Sequence, residues 1–204
     1  MTSARGPWHW LRPPGPVAPG LRIGLLGGSF NPAHEGHLYL SEVALKRLGL
    51  DYVWWLVTPQ NPLKSPIGLA PIADRLRAAQ RVARHPRVIA TDIERVLGTR
   101  YSIDTLEALQ RRFPLVEFVW LMGSDSLLLF RRWRRWREIA SRVPIAVIQR
   151  PGTVLACLSA APMQHAALRR AIRVIDGRRN MQSSTAIRAK AFDSEALVRA
   201  IPPC

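Results

Sequence analysis

Residues 21–48 read LRIGLLGGSFNPAHEGHLYLSEVALKRL, and this stretch decides the fold. The run RIGLLG is short and apolar, as a buried strand would be, whereas LYLSEVALKRL repeats its apolar positions at helical spacing. Between them, GGSFNPAHEGH spans 27–37 and joins a strand end to a helix start. Gly27 and Gly28 carry no Cβ, so the backbone can turn sharply out of the strand and approach a ligand closely. Pro32 then stiffens the loop. His34 and His37 fall at the helix entry, where unpaired N–H groups and the helix dipole already favour an anion. Two imidazoles donating from that point would hold phosphate oxygens and could follow charge as it moves in a transition state. For a lone histidine an ordinary helix-entry role is the commoner explanation, and an i, i+3 pair without neighbouring Cys or Asp is a poor zinc set. The stretch is neither a Walker loop nor the dinucleotide fingerprint G-x-G-x-x-G.

Outward from this stretch, apolar runs recur at RIGLLG, YVWWLVT, RVIATD, VEFVWLMG, PIAVIQR and AIRVID. Helical spacing fills the intervals at 37–48, 73–84, 102–112 and 136–141. Strand alternating with helix predicts an α/β fold: a doubly wound parallel sheet with helices on both faces. The nearly continuous apolar strands fit a sheet covered on both sides. Such sheets bind ligands outside the carboxyl ends of their strands. The segments expected there are GGSFNPAHEGH, TPQNPLK, TDIERVLGTRYS, GSDSLLLF, RPG and NMQSSTAIR, which hold most of the unusual polar chemistry.

The 204 residues suffice for one domain with a substantial core, read as 21–204. Residues 1–20, rich in Pro and Gly, read as a mobile extension or a misplaced start without the apolar run of a secretory signal. No run of eighteen apolar residues predicts a membrane span. Cys157 and Cys204 are the only cysteines, so no disulfide framework or zinc site is suggested. The net charge of +16 comes from arginine scattered over most of the chain, with lysine only at 46, 64 and 190. It suits an anionic small substrate, and a dedicated nucleic-acid surface is not expected from it. RRWRRWREIA reads as a short helix anchored by tryptophans, with its arginines in water.

GGSFNPAHEGH resembles the amino-terminal signature of the nucleotidyltransferases that share His-x-Gly-His with class I aminoacyl-tRNA synthetases. SSTAIR, residues 183–188, resembles that superfamily's carboxyl-terminal signature. More narrowly, WWLVTPQNPLK, LGTRYSIDTLEAL, MGSDSLLLFRRW and IQRPG resemble the bacterial nicotinate-nucleotide adenylyltransferases, from about residue 21 to the carboxyl-terminal helix. The resemblance implies a Rossmann-like fold, transfer of AMP from ATP to nicotinate mononucleotide with Mg²⁺ assisting, and deamido-NAD and pyrophosphate as products. A cytoplasmic enzyme is expected.

The resemblance also implies roles. Gly27, Gly28, Ser29 and Phe30 would line the ATP site, with His34 and His37 on the triphosphate and His37 the better placed for the α-phosphoryl group. Ser183, Ser184, Thr185 and Arg188 would close over the β and γ phosphates, the hydroxyls and backbone donors at a helix start and the charge one turn on. An ordinary N-cap is the commoner meaning of such a stretch in isolation. Lys64, one of three lysines, could supply compact charge near phosphate or simply sit on an exposed loop. Asp125 would hold a ribose hydroxyl or organise a metal-bound water, with helix N-capping the competing role. Trp133 matches the aromatic that stacks on the pyridine ring, and Tyr101 with Ser102 matches the loop that reads its carboxylate. Asn31 stands where Asp is frequent in the family and Ser102 where Thr is usual, and both keep a polar group. The rivals are adenylyl transfer to nicotinamide mononucleotide or phosphopantetheine, and a basic nucleic-acid binder that uses the fold without catalysis.

Overall fold

The computed structural model describes residues 12–60, 67–149, 163 and 169–177. Among these residues are six strands, β1 (Arg22–Gly28), β2 (Tyr52–Val57), β3 (Val88–Thr91), β4 (Glu117–Gly123), β5 (Ile145–Ile148) and β6 (Ile172–Ile175). They form one sheet in the order β3-β2-β1-β4-β5-β6, and every neighbouring pair is parallel. Leu26 lies beside Trp55 on one flank and Leu25 beside Trp120 on the other. Strand order reverses at β1, between β2 and β4, so the crevice at the carboxyl ends of β1 and β4 is the expected ligand position of such a sheet.

The helices bounded within the described residues are α1 (Glu35–Leu48), α2 (Ile72–Val82), α3 (Ile93–Leu97), α4 (Ser102–Arg112), α5 (Ser124–Leu129) and α6 (Trp136–Arg142), with a 3-10 turn at Phe130–Arg132. Strand alternation sorts side chains to two cores. Val53, Trp55 and Val57 of β2 face α1 and α2, together with Leu26, Val119 and Leu121. Trp54 and Leu56 face the opposite layer of α3 to α6, with Ile23, Leu25, Trp120 and Met122. Trp54, Trp55 and Trp120 are all fully buried, which explains why the strands read as unbroken apolar runs. Gly24 lets the layers close, because a Cβ there would stand 2.7 Å from Leu121 Cδ1 and 2.8 Å from Leu50 Cδ1.

The predicted helices at 37–48, 73–84, 102–112 and 136–141 are present with boundaries moved by at most two residues. The short α3 and α5 were not expected, since five or six residues carry too little periodicity to register. The RRWRRWREIA segment differs from the single helix predicted. Arg135 adopts φ 50, ψ 39 and breaks the segment into the 3-10 turn and α6. Its anchors behave as expected: Trp133 and Trp136 meet Phe130 edge-on at 5.3 and 5.8 Å, while the arginines are exposed. Of the expected extension, residues 12–20 have no helix or strand but are docked. Val17 packs against the core and the Gly20 N–H donates to the Leu115 carbonyl at 2.8 Å.

Candidate active site

The loop leaving β1 is shaped by its own aromatic floor. Phe30 takes a left-handed φ of 47, precedes a cis Asn31–Pro32 bond, and turns its ring inward to stack on Trp55 at 5.1 Å. That ring is 1% exposed, so of the expected ATP-lining residues Phe30 is a core residue supporting the loop from beneath. A Cβ on Gly28 would lie 3.3 Å from the Phe30 ring and one on Gly27 3.3 Å from Trp120. The two glycines therefore admit the protein's own rings as well as any ligand.

Past Pro32 the chain enters α1 through a capping box made of imidazoles. His34 is the N-cap, and its Nδ1 accepts from the Gly36 N–H at 3.1 Å. His37, one turn on, turns its Nδ1 back to accept from the His34 N–H at 3.2 Å. Ser or Thr and Glu or Gln normally fill these two places. With each Nδ1 accepting, the neutral ring carries its proton on Nε2, so both histidines are fixed as Nε2–H donors. The rings lie 3.8 Å apart between centroids. His37 rests on Phe30 at 4.7 Å and Trp55 at 5.8 Å. Trp55 is itself fixed, its Nε1 donating to Ser41 Oγ at 2.8 Å while that hydroxyl donates to the His37 carbonyl at 2.9 Å. The helix-entry role expected of a histidine is thus observed for both, and the capping sets the tautomer that donation from Nε2 would require.

Asn31, expected at the substrate, is tied to the chain ahead of α2. Its Nδ2 donates to the Gly68 carbonyl at 2.8 Å and its Oδ1 accepts from the Ala70 N–H at 3.4 Å. The carbonyl of Ser29 accepts from Arg75 at 2.7 Å. Asp125 is exposed in the first turn of α5, whose N-cap is Gly123, so Asp125 itself does not cap that helix.

A second group forms beside this loop from distant sequence. Trp120 of β4 meets Trp133 edge-on at 5.9 Å, linking the Gly27 end of β1 to the 130s turn. Arg134 lies over the Tyr101 ring at 4.7 Å, with Arg100 at 6.0 Å from the same ring. Tyr101 is the N-cap of α4 and Ser102 its first residue, and Arg134, next to Trp133 in the chain, reaches across to the Tyr101 ring. Beneath them is Glu94 of α3, 5% exposed, accepting from Thr105 Oγ1 at 3.1 Å. Burial pushes its carboxyl up from 4.5 to about 7, the Thr105 hydrogen bond pulling the other way. Thr99 and Thr105 hydroxyls share a 2.8 Å hydrogen bond, which fastens the loop between α3 and α4.

Lys64, Ser183, Ser184, Thr185 and Arg188 lie outside the described residues. Among the described residues no group of three His, Cys, Asp or Glu could hold a metal ion.

Sequence reasoning missed Arg75, Glu94 and Arg134. Arg75 and Glu94 both sit on the inward faces of their helices, Arg75 one turn from Ala79 and Glu94 beside Ile93 and Leu97. A charged residue on an apolar face was the available signal.

A parallel sheet with a reversal at β1 and His-x-Gly-His in its crevice defines the nucleotidyltransferase class. The cytidylyltransferase-like family model matches residues 25–190. A relative from Parvibaculum lavamentivorans, named "Probable nicotinate-nucleotide adenylyltransferase", is 51% identical over 85% of this chain and 94% of its own. One of the same name from Cereibacter sphaeroides is 57% identical over 65% and 70%. The fold matches Plasmodium falciparum nicotinic acid mononucleotide adenylyltransferase complexed with NaAD, at TM-score 0.66, 15% identity and 83% of each chain. The chain belongs to the nicotinate-nucleotide adenylyltransferase family of cytidylyltransferase-like enzymes.

Proposed function

We propose that this chain transfers AMP from ATP to nicotinate mononucleotide, forming deamido-NAD and pyrophosphate. The observation that carries this reading is the pair of capping imidazoles, His34 and His37, both held as Nε2–H donors at the start of α1. In the reaction an oxygen of the mononucleotide phosphate bonds to the α-phosphorus of ATP, and the bond from that phosphorus to the α–β bridging oxygen breaks. Pyrophosphate leaves with the electron pair. No covalent bond to the protein is needed, so positioning and charge stabilisation carry the catalysis.

In this proposal His37 donates to the α-phosphoryl oxygens as negative charge grows there, and His34 donates to the neighbouring phosphate. The backbone N–H of Ser29, just past the end of β1, and the α1 dipole add to the same field. Ser183, Ser184, Thr185, Arg188 and Lys64 act on the β and γ phosphates. Mg²⁺ enters on the triphosphate. Trp133 stacks on the pyridine ring, while Ser102 and the backbone beside Tyr101 read its carboxylate. Asp125, exposed at the carboxyl end of β4, suits a ribose hydroxyl. Residues 21–204 act as one domain, and the activity is placed in the cytoplasm. No helix among the described residues is long and apolar enough to cross a membrane.

The test is one assay with purified protein, Mg-ATP, and nicotinate or nicotinamide mononucleotide in parallel, following pyrophosphate release. Turnover with the nicotinate substrate is expected. A preference for the amide overturns the substrate assignment, and no turnover of either overturns the activity.

A further inference from the structure

Arg75 has an environment that its place in a basic helix does not suggest. Its residue is 3% exposed, and its hydrogen bonds run to backbone carbonyls on three separate segments. Nε donates to Ala70 at 2.8 Å, one terminal nitrogen to Ser29 and to Thr58, each at 2.7 Å, and the other to Pro59 at 2.9 Å. Ser29 belongs to the loop after β1, Thr58 and Pro59 to the loop after β2, and Ala70 to the chain entering α2. Four of the guanidinium's five N–H groups are used, in a planar fork that only arginine provides.

We propose that Arg75 is a positioning residue for adenylyl transfer, fixing the β1 loop so that His34 and His37 meet the ATP phosphates. This rests on the function proposed above. The Ser29 carbonyl is followed at once by the left-handed Phe30 and the cis Asn31–Pro32 bond, then by the histidine cap. Anything that moves Ser29 therefore moves the donors. Asn31 fastens the next turn of the loop to Gly68 and Ala70, the same chain that Arg75 holds at Ala70. The β2 loop is registered on the β1 strand by the Thr58 N–H, which donates to the Gly28 carbonyl at 3.0 Å. Arg75 joins these contacts into one frame at the carboxyl ends of two adjacent strands. All four hydrogen bonds end on neutral carbonyls. Burial lowers its pKa below the ordinary arginine value, yet a guanidinium stays protonated in proteins.

The experiment compares wild type, Arg75→Lys, Arg75→Met and Ile172→Val, a control in the core of the distant edge strand. Steady-state kcat and KM are measured for ATP and for nicotinate mononucleotide separately, alongside thermal melting. Lysine keeps the charge but cannot span three segments, and methionine loses both. The expected result is a kcat/KM for ATP reduced about tenfold or more in Arg75→Lys and further in Arg75→Met, on the scale of a misplaced catalytic group. The ATP KM rises while the mononucleotide KM stays within about twofold of wild type. If Arg75→Met does not fold, Arg75→Lys decides. A merely structural role would lower the active fraction and leave both KM values unchanged, and that result overturns the proposal. So does an Arg75→Lys variant with kinetics like Ile172→Val. A wild-type protein that turns over neither mononucleotide refutes the underlying activity and this proposal together, a failure distinguishable because it appears before any substitution.

Discussion

Replacing Glu94 by glutamine keeps the shape of α3 and the Thr105 hydrogen bond but removes an ionisable group from the interior. The carboxyl is held at about 7 in the folded chain against 4.5, chiefly because burial disfavours the charged form. A raised carboxyl pKa means that the folded state retains a proton the unfolded state has lost. Stability associated with this group is therefore fully present below about 4.5 and falls as pH rises through about 7. Each pH unit of that interval corresponds to ~1.4 kcal/mol, so the complete loss is about 3 kcal/mol. Glutamine is exempt from the loss. Its advantage over wild type should grow by about 2–3 kcal/mol between pH 5 and pH 8, or roughly 5–10 °C in melting temperature for a chain of this size. Urea unfolding of both proteins at half-unit pH steps reads the difference directly. An advantage that stays flat across this range would refute the reasoning, because it would mean that Glu94 titrates alike in folded and unfolded chains. The start of α4 should feel the same titration, since the single Thr105 hydroxyl proton can turn from Glu94 to the Tyr101 carbonyl, 3.3 Å away.

His37→Ala should lower kcat by about a hundredfold or more with a circular dichroism spectrum like that of wild type, the loss associated with one transition-state donor; near-normal turnover would remove His37 from the mechanism. Trp133→Ala should raise the KM for nicotinate mononucleotide several-fold and leave that for ATP nearly unchanged, as steady-state kinetics will show. Ser41→Ala leaves the buried Trp55 Nε1 without its acceptor and should cost about 1–3 kcal/mol in chemical denaturation.

The predicted alternation of strand and helix came through because each long element carries its own period, and the GGSFNPAHEGH loop came through because it sits directly between two of them. The short helices α3 and α5 did not, since neither completes enough turns to show a face. The break at Arg135 was also hidden. Nothing in RRWRRW marks a left-handed residue, and its observed partners include Glu107, 28 positions earlier. That the Phe30 ring belongs to the core was likewise hidden, because it is β2 that supplies Trp55 beneath it.

By itself the sequence determined the α/β class, the position of the helix start at His34 and His37, and the kind of chemistry two donors can perform there. These are local matters: period, loop geometry and the orphan N–H groups of a helix end all depend on neighbouring residues. Only the tertiary structure decided the strand order that opens the crevice beside β1, the tautomers imposed by the imidazole capping box, and the meeting of Arg134 with Tyr101. It also decided that Arg75 would hold Ser29, 46 residues away, and not point into water like its neighbour Arg77. Periodicity tells which face of a helix turns inward; what waits there depends on how the whole chain packs.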